Sequence, residues 1–216
     1  MTRSGCFITL EGTEGVGKST NMDRIREFLV ARDVDLVQTR EPGGTPLAED
    51  IRRLLLAKRE ESMCSDTELL LMFAARCQHV ETLIKPALAR GQWVLSDRFT
   101  DASFAYQGGG RQLGFERLEA LESWCLKGFQ PDLTLWLDLP VAEGLKRARA
   151  RSAADRFESE RIEFFTRVRD AYERRCRQFP ERMRRIDASG TPEQVQARIT
   201  AVMSAFMEKR PGTATR

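Results

Sequence analysis

Short apolar runs alternate along the chain with stretches whose apolar positions recur every three or four residues. The runs are Phe7 to Leu10, Val34 to Thr39, Trp93 to Asp97 and Leu133 to Asp138, with a shorter one at Arg185 to Asp187. Their length and partly β-branched character predict strands. Helical spacing begins near Lys18, with Met22, Ile25, Phe28 and Leu29 on one face. It returns over Leu47 to Leu56, from about Asp66 to Arg90, over Phe115 to Leu126, Val141 to Arg151, Glu160 to Phe179 and Pro192 to Met207. Strands alternating with helices predict an α/β fold, a parallel five-stranded sheet flanked by helices on both faces. Ligands are then expected at the carboxyl ends of the strands.

Local chemistry sharpens this outline. Glu41-Pro42-Gly43-Gly44-Thr45-Pro46 carries two prolines and two glycines, so it reads as a rigid turn. Lys58 to Ser65 is polar and reads as an exposed loop, with Asp66 as N-cap of the next helix. That helix has the apolar stripe Leu69, Met72, Phe73, Val80, Leu83, Ile84 and Ala87, into which Arg76 falls. A charge there is costly unless something pairs with it. Pro86 should kink the helix or begin a new one. A loop is expected after Asp97-Arg98-Phe99, carrying Ser103, Tyr106, Gln107 and Gly108 to Gly110. Residues 1–208 read as a single domain, and Lys209 to Arg216, without apolar anchors, as a disordered tail.

Composition adds exclusions. The chain has 216 residues, 41% of them hydrophobic and 31% charged, which fits one soluble domain with a substantial core. A net charge of +3 argues neither for nor against nucleic acid, but no basic and stacked-aromatic array suggests it. The longest uncharged apolar run, Leu69 to Ala75, is too short for a bilayer, and no secretion signal opens the chain. The five cysteines are scattered, never in C-x-x-C spacing, which suits free, mostly buried thiols in a cytoplasmic protein and offers no zinc site.

The decisive stretch is Gly12-Thr13-Glu14-Gly15-Val16-Gly17-Lys18-Ser19, followed by Thr20. It matches G-x-x-x-x-G-K-[ST] in full, after a strand and before a helix, where a phosphate-binding loop belongs. The glycines let successive N–H groups point at phosphate oxygens, and the helix adds the positive end of its dipole. Lys18 would neutralise β/γ-phosphate charge and the Ser19 hydroxyl would complete a magnesium shell. The bland alternative is a glycine-rich turn that happens to spell the motif. The reading is a P-loop NTPase fold that binds a nucleoside triphosphate.

Phe73 and Arg76, three residues apart, share one side of their helix. They suit a stacked base and a phosphate or base edge; equally, Phe73 could be core and Arg76 snorkel to the surface. Thr39-Arg40-Glu41-Pro42-Gly43-Gly44-Thr45, Phe73-Ala74-Ala75-Arg76, Asp97-Arg98-Phe99 and Tyr106-Gln107-Gly108-Gly109-Gly110 occur in that order. They resemble the bacterial thymidylate kinases, and the resemblance runs from Phe7 to about Asp187. It implies transfer of the ATP γ-phosphoryl group to thymidine monophosphate (dTMP), giving thymidine diphosphate for dTTP synthesis, with Mg2+ and in a homodimer of packed helices. By resemblance Phe73 and Arg76 take the base, Arg98 and Arg40 the acceptor phosphate, Gln107 and Ser103 the thymine edge, and Glu14 the sugar 3′-hydroxyl. Many members carry threonine where this chain has Ser103. Asp97 would organise Arg98 and magnesium waters, and Glu11 would be an outer-sphere magnesium group.

Some members carry a P-loop arginine directly after the acid matched by Glu14, where this chain has Gly15. The catalytic cation must then come from elsewhere. Arg147, Arg149, Arg151 and Arg156 crowd a stretch that resembles the bacterial lid, about residues 149–158. Arg151 is the expected catalytic arginine, with Arg149 and Arg156 as partners on ATP. The bland reading is a basic helix end, worth about 0.3–1 kcal/mol of stability. His79 is expected on the surface or at a dimer interface, and the arginines after Glu160 on a solvated face. Asp187-Ala188-Ser189-Gly190 reads as the loop after the last strand, near adenine by resemblance. A kinase for another monophosphate or a small alcohol competes with this reading, as does a nucleotide-switch ATPase, whose motifs are missing.

Overall fold

The computed structural model describes residues 5–150 and 162–210. Five strands form one all-parallel sheet: β1 (Cys6–Glu11), β2 (Leu36–Arg40), β3 (Trp93–Asp97), β4 (Leu133–Asp138) and β5 (Met183–Asp187). Their order is β2-β3-β1-β4-β5, so β1 is central. Every residue of β1 and β4 is buried, as expected of strands covered on both faces.

The sheet faces differ in character. Ile8, Leu10, Leu95, Leu135 and Leu137 pack against α1 (Lys18–Val30) and α9 (Pro192–Glu208) in a wholly apolar cluster. The opposite face is covered by α3 (Ser65–His79), α6 (Phe115–Leu126) and α8 (Ile162–Gln178), and there polar groups are buried among the apolar ones. On that face Thr9 and Thr134 pair across the β1–β4 ladder at 2.8 Å. The remaining helices are α2 (Pro46–Leu56), α4 (Lys85–Ala89), α5 (Thr100–Ser103) and α7 (Val141–Arg149).

Several expectations are corrected. Helix α3 begins at Ser65 with Cys64 in the cap position, two residues before the expected cap Asp66. Pro86 stands in the first turn of a new helical segment, α4, one of its two expected outcomes, and a π-helical turn, Val80–Ile84, precedes it. Widening the helix there accommodates the missing proline N–H and its ring. The expected loop after Arg98 is instead α5 followed by a second π-helical turn, Phe104–Gly110. The three glycines allow contact rather than looseness. A Cβ on Gly109 would lie 2.6 Å from Ala171 Cβ and 2.8 Å from the Arg167 carbonyl on α8. Arg167 also donates to the Gly110 carbonyl.

The arginines of α8 do not all lie on a solvated face. Arg175 is fully buried, its Nε donating to Asp101 Oδ1 at 2.8 Å. Its guanidinium lies 3.9 Å from the Phe104 ring centre and 4.3 Å from that of Phe179. Arg182 donates to both Asp101 oxygens, at 2.7 and 2.9 Å. At the tail, Arg210 reaches Asp132 at 3.0 Å and donates to Cys6 Sγ, so the chain is anchored through that residue; 211–216 lie outside the described residues. Among the five thiols only Cys6 is buried; Cys64 is exposed and the others half-buried. Among the described residues, no helix is long and apolar enough to cross a membrane.

Burial alone would raise the Asp101 pKa, but Arg182 and Arg175 outweigh it and hold it at about 2. A depressed carboxyl stabilises the fold above its unfolded pKa and loses that contribution as pH falls toward 2. Asp101→Ala strands two guanidinium groups and should lower the unfolding free energy by about 3–5 kcal/mol at neutral pH. Urea unfolding curves should show the gap between variant and parent closing as pH falls below about 4.

Candidate active site

The site forms where β1 and β3 end side by side. Leu10 pairs with Asp97, and the ladder continues one step as the Arg98 N–H donates to the Leu10 carbonyl at 3.0 Å. After β1 the chain curls through the P-loop into α1. Lys18 is half-buried, its Nζ donating to the Gly12 and Thr13 carbonyls at 3.2 and 3.4 Å. Burial and then the Arg98 charge lower its pKa, with Asp97, Glu14 and Glu11 opposing. Gly15 has φ +73°, and a Cβ there would lie 1.9 Å from the Gly144 carbonyl of α7. The loop is therefore closed to any side chain at that position.

Arg98 also has a positive φ, +73°, a strained conformation for a residue with a side chain. Its Nη2 donates to Glu14 Oε1 at 3.2 Å and to the Tyr106 hydroxyl at 3.0 Å. The Tyr106 O–H in turn donates to the Glu14 carboxylate at 2.8 Å. Burial acts to lower the Arg98 pKa, but the anionic surroundings, Glu14 and Asp97 among them, carry it well above its ordinary value. Arg98 stays cationic.

Beside this triangle lies a cavity of about 140 Å³, lined by Glu14, Arg98, Ser103, Tyr106 and Gln107 together with Glu41, Arg52, Met72 and Arg76. Part of this lining is held by a buried polar network. Glu41 accepts from Arg76 Nε at 2.7 Å and from His79 Nδ1 at 3.0 Å, and His79 Nε2 pairs with Thr39 Oγ1 at 2.7 Å. Arg76 also donates through Nη2 to the Phe99 carbonyl, while its Nη1 is buried without a hydrogen-bond partner. The Glu41–Pro42 peptide is cis, and Arg52 donates to the Pro42 carbonyl at 2.8 Å.

A second cleft opens on the other side of Asp97, lined by Ser19, Asp23, Arg40 and Asp97 itself. Asp97 Oδ1 is buried and unpaired, and Ser19 is exposed. An unpaired carboxylate oxygen and a free hydroxyl on one cleft are hard oxygen donors, the set magnesium takes. No group of three or more His, Cys, Asp or Glu side chains that could hold a metal occurs among the described residues.

Measured against the sequence-based expectations, Glu14, Arg76, Arg98, Ser103 and Gln107 meet around one cavity, and Ser19 and Asp97 around one cleft. Four expected residues stand in settings the sequence did not show. Phe73 is buried in the core beside Phe104 and Phe165, with the Arg76 guanidinium 4.8 Å from its ring centre, while the adjacent Met72 lines the cavity. Arg40 lines the other cleft, held by Glu49 through two hydrogen bonds. Glu11 is fully buried with both oxygens engaged, by the Phe99 N–H at 2.7 Å and the Tyr172 hydroxyl at 2.8 Å. Burial, with help from Asp101, raises its pKa to about 8, so it braces the strand ends rather than offering charge to a metal. His79 is fully buried instead of lying at the surface. Sequence reasoning missed Glu41, Arg52, Met72 and Tyr106 as site residues, although Glu41 and Tyr106 stand inside motifs it quoted. Arg149 ends α7, and Arg151 and Arg156 lie outside the described residues.

The family model for thymidylate kinase matches residues 10–199. The chain belongs to the thymidylate kinase family. It is 56% identical over 204 residues to the thymidylate kinase of Teredinibacter turnerae, covering 94% of this chain and 100% of that one. The Alkalilimnicola ehrlichii thymidylate kinase is 56% identical over 217 residues, 100% of this chain and 96% of its own. That of Pseudomonas putida is 56% identical over 209 residues, 97% and 100% of the two chains.

The separate roles of Phe73 and Met72 are testable. Phe73→Ala should cost about 3–5 kcal/mol of stability by opening a core cavity, with the acceptor KM of the folded protein unchanged. Met72→Ala should leave stability within about 1–2 kcal/mol and raise the acceptor KM. Thermal unfolding and acceptor titration, run on both variants, check the pair.

Proposed function

We propose that this chain transfers the γ-phosphoryl group of ATP to dTMP, giving ADP and thymidine diphosphate. The observation that carries the reading is the cavity beside the P-loop, where Arg98, Arg76 and Arg52 converge within reach of a buried polar wall. Three guanidinium groups suit a dianionic acceptor phosphate and a base edge; a water-activating ATPase would need neither.

In this reading ATP lies with its β- and γ-phosphates against the P-loop, and Lys18 leaves its loop carbonyls for phosphate oxygens. Arg98, oriented by Glu14 and Tyr106, holds the acceptor phosphate in line with the γ-phosphoryl group. Positioning of this kind accounts for much of the rate in phosphoryl transfer. Arg52 is a second clamp on that phosphate, in the role first expected of Arg40. Glu14 meets the sugar 3′-hydroxyl, while Ser103, Gln107 and Arg76 surround the base and Met72 packs against its face. Ser19 and Asp97 would hold Mg2+, which supplies charge neutralisation at the phosphates when bound.

The remaining cation is assigned to Arg151, within a lid of about residues 149–158 in a single kinase domain, with Arg149 and Arg156 on ATP. The contact between Gly15 and Gly144 supports this, since it bars a cationic side chain from the loop. The protein is read as a cytoplasmic homodimer. Exposed Leu54 on α2, Leu70 on α3 and Trp124 on α6, helices in which α2 and α6 both pack on α3, offer the apolar face for a second copy.

A coupled ADP-release assay with thymidine, deoxyuridine, deoxycytidine and guanosine monophosphates tests the function. ADP release that needs no acceptor would overturn it. Arg151→Ala should lower turnover roughly 10³–10⁵-fold at saturating substrates, with folding intact. Turnover within a few-fold of the parent would remove Arg151 from the mechanism.

A further inference from the structure

A glutamine amide has an acceptor at one end and two donors at the other, so the end facing a ligand decides which base edge it can meet. For Gln107 the neighbour settles the question. Its Nε2 donates to Glu68 Oε1 at 2.9 Å, and only the nitrogen end can donate to a carboxylate. Glu68 is fully buried in the first turn of α3, and Arg111 Nε lies 3.5 Å from the same oxygen. With its nitrogen committed to Glu68, Gln107 has its carbonyl oxygen left for the cavity it lines, and that oxygen accepts no hydrogen bond among the described residues. Arg76 lines the same cavity, and its Nη1 is a buried donor without a hydrogen-bond partner.

One acceptor and one donor complement a 4-oxo pyrimidine, whose N3–H donates and whose O4 accepts. A 4-amino pyrimidine inverts both positions. Resting on the dTMP reading of the cavity, we propose that Glu68, which does not line it, sets base selectivity by fixing the Gln107 amide with its carbonyl inward. Glu68 is then a positioning residue. Without it the amide can turn, because its nitrogen loses the partner that holds it outward and a buried donor seeks another.

The test compares dTMP, dUMP and dCMP as acceptors for the parent, Glu68→Gln and Glu68→Met. With Glu68→Met, kcat/KM for the two 4-oxo acceptors should fall roughly ten- to hundredfold through KM, as expected for one mispaired buried hydrogen bond. That for dCMP should hold or rise, so the selectivity ratio collapses. Glu68→Gln retains a carbonyl that can accept from Gln107 and should keep the ratio within a few-fold. A parallel loss on all three acceptors, or an unchanged ratio in Glu68→Met, overturns the proposal. If Glu68→Met does not fold, calorimetry on the parent decides: dCMP must bind at least about a hundredfold more weakly than dTMP, and comparable affinities overturn it. A parent that phosphorylates neither dTMP nor dUMP overturns the functional reading itself, and the proposal with it.

Discussion

The hydrogen bond from the Arg98 amide to the Leu10 carbonyl is the last rung of the β1–β3 ladder, and the site hangs from it. It brings the end of the P-loop strand within side-chain reach of the Asp97-Arg98 turn. The turn holds Arg98 at positive φ, a conformation that costs on the order of 1–3 kcal/mol. That cost is offset locally. Ser96 Oγ donates to the Arg98 carbonyl at 2.8 Å, and the guanidinium is held by Glu14 and Tyr106. A loop residue and a strand-end residue, 84 positions apart, thereby become one rigid unit.

The two sheet faces carry different duties. Against α1 and α9 the core is apolar and needs only volume. Against α3, α5 and α8 the interior holds ionised or polar groups in closed sets: Glu41 with Arg76 and His79, Glu68 with Gln107 and Arg111, Asp101 with Arg175 and Arg182. Charges at such depth are tolerated only when paired. Paired, they have one orientation each, unlike an apolar filling, which packs in several ways. Three residues of the cavity lining, Glu41, Arg76 and Gln107, belong to these sets and take their orientation from them.

The sheet and its helices were legible because period and length distinguish strands from helices without reference to partners. Leu133–Asp138 and Trp93–Asp97 begin and end where the pattern placed them. What escaped was long-range pairing. His79 reads as a stray polar residue until Glu41, 38 positions earlier, is placed under it. Arg175 resembles its neighbours on α8, and only Asp101 explains why it is inside. Phe73 and Met72 are adjacent, so an apolar stripe cannot say which of them turns to the core and which to the cavity. The triple glycine spells a loop by composition, and only the approach of α8 shows it to be a packed helical turn.

The fit of Gly15 against Gly144 bears on the paths by which such a sequence can change. Each residue forbids a side chain on the other: the Gly144 carbonyl blocks position 15, and a Cβ on Gly144 would lie 2.8 Å from the Glu14 carbonyl. An arginine at position 15 is thus out of reach by one substitution, and a larger residue at 144 offers no intermediate, because it pushes on the same loop. The two positions can be replaced only together, with α7 displaced along its length. A lineage holding this contact cannot acquire a charged side chain at position 15 by neutral drift, one residue at a time.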